Sequence, residues 1–161
     1  SLTELPNRNL FFDRLAVALA QAHRSGRPGA LLYFDLDRFK PVNDRLGHAA
    51  GDKLLKAVAE RVRAQMRASD TFGRLAGDEF AVILPDASRH EDAAHVAEKI
   101  LAAVDQPFDI DGQQVEIGAS IGIAFIPADG TRAEEVLKAA DEAMYQAKAA
   151  GRNTYRSHQP S

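Results

Sequence analysis

Cysteine is absent from the 161-residue chain, which excludes a disulfide framework and any thiolate nucleophile or metal ligand. Long apolar runs are absent too: "GALLYF" and "SIGIAFIP" fall far short of the roughly 20 residues a membrane helix needs. The first residues do not pair a basic segment with an apolar one, so no targeting address is read there. Positive charge is not in excess either. The formal net charge is −3, with acids and bases interspersed, so the broad positive field of a nucleic-acid binder is missing. No nucleic acid and no membrane surface is expected as a partner of this domain. A small anion such as a nucleotide needs only a few local cations and stays allowed. The expectation is a cytoplasmic domain, compatible with membrane anchoring of a larger protein.

What is present suits a single domain over residues 1–161: 45% hydrophobic and 27% charged residues, enough to bury roughly two thirds of the unfolded surface. From Pro6 and Asn7 to Gly26, apolar residues recur at helical spacing (Leu10, Phe11, Leu15, Leu19, Ala22), with start and stop signals at the two ends. "ALLYFDL" reads as a buried strand ending in Asp35. "DRFKPVNDRLGHAAGD" is rich in turn formers, and a second amphipathic helix follows through Leu54, Leu55, Val58, Val62 and Met66. "GRLAGDEFAVILP" reads as a hairpin turning at Gly77 and Asp78. A helix over 88–105, a strand or strand pair in "QQVEIGASIGIAFIP" and a last helix ending at Gly151 complete the pattern. The polar tail "RSHQPS" is expected to fray.

After the first helix the order is strand, helix, hairpin, helix, strand, helix. It contains the βαββαβ of a ferredoxin-like sheet, a fold of the α/β (α+β) class with an extra N-terminal helix and extra C-terminal elements. In that topology the crossover helix returns the chain beside its own strand, so Asp35 and Asp78 are expected to meet at one sheet edge. Two carboxylates from separate elements are a geometry for hard cations, which take oxygen ligands and share them with phosphates. Asp37 is expected to be a solvated turn residue pointing away from Asp35. Lys40, Lys148 and Arg152 are cations of the kind a nucleoside triphosphate requires. Asn43, His48 and Asp52 offer an amide, an imidazole and a carboxylate to a base, while local readings compete: Asn43 and Asp52 as helix caps, His48 at a helix start.

Together these stretches resemble a known family. "LTELPNR" (2–8), "DLDRFKPVNDRLGHAAGD" (35–52), "RASD" (67–70), "AGDEF" (76–80), "SIGIA" (120–124) and "ADEAMYQAKAAGRN" (140–153) are similar, in order and spacing, to the GGDEF domain of bacterial diguanylate cyclases. The resemblance runs from Leu2 to about Arg156. It implies an enzyme that condenses two GTP into cyclic di-GMP with release of two pyrophosphates, on a fold akin to nucleotidyl cyclases and polymerase palms. It also implies a homodimer for catalysis, with one GTP per subunit. By position, Asp35, the carbonyl of Leu36 and Asp78 would ligate Mg²⁺ (or Mn²⁺), two ions per active site, with Asp78 also the base for the 3′-hydroxyl. Lys40 and the backbone around Phe39 would stabilise phosphate charge, and Lys148 and Arg152 would hold the β/γ end. Asn43, His48 and Asp52 match substrate-binding positions, and a buried Asp52 would select guanine through its N1–H and 2-amino group. Arg67 and Asp70 match the RxxD motif through which cyclic di-GMP inhibits its own synthesis.

The sequence departs from the pattern at Ala76 and Glu4, where the family usually has Gly. A methyl at 76 is expected to crowd the nucleotide or strain the turn, and Glu4 to matter less. The competing readings are a degenerate domain that binds GTP or cyclic di-GMP without making it, and a structural ferredoxin-like domain with surface acids. The start of the resemblance at the first residues leads to the expectation of an upstream sensory or receiver region and of weak dimerisation without it.

Overall fold

The computed structural model describes residues 2–159. Helix α1 (Arg8–Ser25) starts where Asn7 accepts the Leu10 N–H at 3.0 Å and stops at Gly26, whose φ of 72° is the left-handed cap. Strand β1 (Gly29–Asp37), helices α2 (Phe39–Leu46) and α3 (His48–Arg63), the hairpin β2 (Thr71–Ala76) and β3 (Glu79–Leu84), and helix α4 (His90–Asp105) follow. A small hairpin, β4 (Phe108–Ile110) with β5 (Gln113–Val115), precedes β6 (Gly118–Ile126), α5 (Ala133–Ala149) and β7 (Thr154–Ser157).

The main sheet is ordered β2-β3-β1-β6-β7. Its first four strands with α3 and α4 are the expected ferredoxin-like core. Strand β1 lies at the centre, antiparallel to β3 and β6, and β7 adds a parallel edge strand to β6. Helices cover both faces, so β1 alternates between two apolar layers rather than between core and water. Ala30, Leu32 and Phe34 join the larger layer built with α3 and α4, while Leu31 and Tyr33 join the layer under α1 and α5. Phe34, Phe72 and Phe80 stack in the first layer with ring centroids 5.5–6.3 Å apart. In the second, α5 approaches β6 so closely that a Cβ on Gly122 would lie 2.0 Å from the Ala140 carbonyl oxygen. That glycine sets the depth at which α5 docks.

Strand β1 continues past Asp35 to Asp37. The stretch after it is not all turn: Phe39, Val42 and Leu46 recur at helical spacing and face the core, and Pro41 is tolerated because it sits in the first turn of α2. The tail is not frayed over Arg156–His158. Its backbone pairs with β6, the His158 N–H reaches the Ile123 carbonyl at 2.7 Å, and the imidazole lies 2.9 Å from Asp129. The last two residues of "RSHQPS" lie outside the described residues. Among the described residues no helix is long and apolar enough to cross a membrane.

Candidate active site

Register along the β1–β3 ladder builds one end of the site. Asp35 lies opposite Glu79, and one residue on the Leu36 N–H donates to the Asp78 carbonyl at 3.2 Å. Asp78 occupies the turn between β2 and β3 with Gly77, whose φ is 38°. Arg74 closes the turn by donating Nε–H to the Gly77 carbonyl at 2.7 Å, beside a register shift between Arg74 and Ala76. Asp35 and Asp78 therefore converge at one sheet edge, as the sequence predicts.

The acids act on one another. Burial pushes the Asp35 carboxyl above the usual carboxylate range, the ion pair with Lys148 pulls it back, and Asp37 and Glu79 push it up again. Burial also raises Asp78, and the charge of Asp35 adds to it. Lys148 comes from α5, within reach because Gly122 lets that helix dock deeply.

Glu79 was not singled out in the sequence, and it belongs to this cluster. The Tyr33 hydroxyl donates to Glu79 Oε1 at 2.6 Å. Tyr33 is buried, and burial followed by the Glu79 contact raises its pKa, which keeps the phenol a donor. The signal was present in the period of two. Tyr33 and Asp35 share a face of β1, and a residue opposite Asp35 lies diagonal to Tyr33, within reach of an aromatic side chain.

The same period corrects the reading of Asp37. Residues two apart on a strand share a face, so Asp37 does not point away from Asp35. It is 6% exposed rather than solvated. Its carboxylate accepts from Ser120 Oγ at 2.7 Å and from the Asn153 N–H at 2.8 Å.

Phe39 and Lys40 open α2, the first half-buried and the second exposed. Asn43 lies inside α2, not at a cap; its amide nitrogen is 3.3 Å from His48 Nδ1, and it fills the space that a Cβ on Gly51 would take. His48 begins α3 and Asp52 lies in its interior, so neither residue read as a cap serves as one. Asp52 is exposed, against the expectation of a buried carboxylate. Arg152 is exposed and follows α5 at a φ of 66°. Arg67 and Asp70 form a tight turn, the Arg67 N–H donating to Asp70 Oδ2 at 2.9 Å and the Asp70 N–H to the Arg67 carbonyl at 3.0 Å. Both line a groove of about 700 Å³ with Arg89, His95, Lys99 and Tyr155, and none of the edge acids lines it.

The two departures exchange their importance. Ala76 is exposed and keeps a negative φ, so its methyl does not strain the turn; the left-handed position is Gly77. Glu4 takes a φ of 59°, the region that favours glycine.

The donor set suits a hard divalent cation in kind: two half-buried carboxylates, each raised chiefly by burial and Asp78 further by the charge of Asp35, next to a strand end with backbone oxygens. Among the described residues no three His, Asp or Glu side chains gather into a metal cluster. A cation at this edge would therefore complete its shell from backbone, water or ligand phosphate.

The sequence matches the family described as "Diguanylate cyclase, GGDEF domain" over residues 1–154. It is 53% identical to the bifunctional diguanylate cyclase/cyclic di-GMP phosphodiesterase MucR of Pseudomonas aeruginosa over 96% of this chain and 22% of that protein. It is 45% identical to diguanylate cyclase TpbB of the same species, over 97% of this chain and 36% of that protein. The crystal structure of the TpbB GGDEF domain superposes with a TM-score of 0.95 at 43% identity, covering 99% of each chain. The GGDEF domain of DgcB from Caulobacter crescentus, solved in complex with c-di-GMP, superposes with a TM-score of 0.91 at 30% identity over 99% of this chain and 95% of that one. The chain thus spans between a fifth and about a third of the length of these full-length relatives. With the family matched across nearly the whole sequence and the sheet superposing on solved members, this chain belongs to the GGDEF domain family of diguanylate cyclases.

Proposed function

We propose that the domain is a diguanylate cyclase, joining two GTP into cyclic di-GMP with loss of two pyrophosphates. The observation that carries this reading is the convergence of Asp35 and Asp78 at one end of the β1–β3 ladder, on a sheet that superposes on the family's solved domains. Each of the two bond-forming steps is a displacement: the 3′-oxygen of one guanosine unit forms a bond to the α-phosphorus of the other, the bond from that phosphorus to pyrophosphate breaks, and the hydroxyl proton leaves to a base; the second step closes the ring. Asp78 is that base. Its raised pKa brings it nearer the working pH at which a carboxylate exchanges protons. A bound Mg²⁺ or Mn²⁺, held by Asp35, the Leu36 carbonyl and Asp78, would polarise the α-phosphate and acidify the hydroxyl.

Placement supports the remaining roles. Lys40 and the free N–H groups at the start of α2, around Phe39, offset phosphate charge. Lys148 and Arg152, at the C-terminal end of α5 and just beyond it, receive the β/γ end. Asn43, His48 and Asp52 read the guanine. One nucleotide per subunit means that two subunits face each other as a homodimer. The degenerate-sensor reading draws on Ala76, and the ordinary backbone there takes away one of its two grounds, strain in the turn. Arg67 and Asp70 form the inhibitory site for the product. Arg67→Ala is expected to weaken cyclic di-GMP binding at least tenfold by calorimetry, with the active site blocked by a GTP analogue; unchanged affinity excludes that site.

The test is incubation with GTP and Mg²⁺, of the domain alone and fused to a dimerising coiled coil, with cyclic di-GMP read by mass spectrometry beside Asp78→Ala. Product from the dimerised domain that vanishes in the variant supports the cyclase. Intact GTP binding with no product from the dimerised form overturns it.

A further inference from the structure

Asp37 is a buried carboxylate that the proposed reaction does not use, and its two partners lie on other elements. Ser120, itself fully buried, reaches it from β6, and the Asn153 N–H reaches it from the segment between α5 and β7. Gly118 pairs with Asp37 in the β1–β6 ladder, and the space beside it is filled: a Cβ there would stand 2.9 Å from Asn153 Oδ1 and 3.2 Å from Asp37 Oδ2. The carboxylate, the serine and the missing side chain together make a socket for residue 153.

The segment held by that socket is an unusual one. Gly151, Arg152 and Asn153 carry φ values of 115°, 66° and 48° in succession, and two of the three are not glycine. Left-handed backbone at residues with a Cβ persists only where surroundings impose it. Here two contacts do so: the Arg152 N–H donates to the Ala147 carbonyl at 3.1 Å, and the Asn153 N–H is tied to Asp37. The backbone of Arg152 is therefore fixed on one side by the end of α5 and on the other by Asp37.

We propose that Asp37 is a positioning residue for Arg152: by holding the Asn153 N–H it imposes the left-handed turn that aims Arg152 at the terminal phosphates of the substrate. The proposal rests on the reading of Arg152 as a phosphate ligand. Asp37 touches no substrate; it acts through one backbone hydrogen bond. A merely structural role, anchoring β7, would leave phosphate recognition intact in any variant that folds.

The measurement is calorimetric binding of a non-reactive GTP analogue with Mg²⁺, beside GMP, to wild type, Arg152→Ala, Asp37→Ala, the double variant and Asp37→Asn. Asp37→Ala is expected to weaken the triphosphate about tenfold, as Arg152→Ala does, while GMP binds as before. The double variant should be no weaker than Arg152→Ala alone, because both remove one interaction. Asp37→Asn keeps a carbonyl for the Asn153 N–H and an amide that donates to Ser120 Oγ, so it should recover most of the affinity. Should Asp37→Ala not fold, Gly118→Ala keeps the carboxylate in place but crowds both it and the Asn153 side chain, and the same selective loss is expected. Wild-type triphosphate affinity in a folded Asp37→Ala, or additive losses in the double variant, overturns the positioning role and leaves Arg152 as read. Wild-type affinity in Arg152→Ala overturns the phosphate role of Arg152 and the proposal with it.

Discussion

The acid edge and the α2–α3 corner are built on different principles. At the edge, Asp35, Asp78 and Glu79 are fixed by the register of the β1–β3 ladder and cross-braced by Lys148, Tyr33 and the Leu36 N–H. At the corner, Asn43 and His48 hold each other through one long contact, and Asp52 stands in solvent on a helix surface. A reacting centre tolerates little misplacement, and the edge proposed for that role sits on strands whose backbone cannot slip without turning every side chain to the other face. Recognition of a base, the role proposed for the corner, needs donors and acceptors that close around a ligand, and the two short-linked helices carry an amide, an imidazole and a carboxylate.

That contrast is broken first at the acids. Asp35→Asn or Asp78→Asn, in the dimerised domain, is expected to lower the rate of cyclic di-GMP formation on the order of 10³-fold with the fold intact, measured by initial rates. A variant within a few-fold of wild type would remove the edge from the chemistry. Asp52→Ala, at the corner, is expected to leave the chemistry in place and cut the preference for GTP over ATP by about ten- to a hundredfold in competition assays. Unchanged preference would show that Asp52 does not read the base.

A smaller effect separates charge from structure. The folded-state pKa of Asp78 is raised, chiefly by burial and then by Asp35. Between the unfolded and the folded pKa the folded chain binds the extra proton, so stability falls as pH rises through that window and stays lowered above it. Without divalent cation, Asp78→Asn should therefore melt above wild type at pH 7, with the gap closing as pH falls into the carboxylate range. A gap of the same size at both ends of the range would place its cause elsewhere.

The smallest effects concern the two departures. Glu4→Gly relieves a left-handed residue and is expected to stabilise the domain by about 0.5–1 kcal/mol. Ala76→Gly loosens an exposed residue with ordinary backbone and is expected to destabilise it by roughly 0.5 kcal/mol. Chemical denaturation reads both, and opposite signs are the signature.

Most of the fold was legible because its signals are periodic. The apolar spacing in α1, its Asn7 and Gly26 caps, and the Gly77-Asp78 turn are local, and each appears where the sequence places it. What was missed is short or tertiary. Helix α2 has eight residues and begins among turn formers. Strand β7 is four residues of mixed polarity, whose pairing with β6 is decided by the sheet. In the site, Asp35 and Asp78 followed from topology alone. For Glu79 and Asp37 the strand period gives the facing but not the partners, which lie 46 and 83 residues away in sequence, Tyr33 and Ser120. The left-handed backbone at Glu4 could not be read from the residue type, which argues against it.

The central claim is that two acids, Asp35 near the C-terminal end of β1 and Asp78 in the β2–β3 turn, form a single cation site with the nucleotide. Mn²⁺ binding in the presence of a non-reactive GTP analogue, followed by electron paramagnetic resonance on wild type, Asp35→Asn and Asp78→Asn, tests it most directly. The account predicts tight binding to wild type and its loss in each single variant. Wild-type binding in both variants would contradict it.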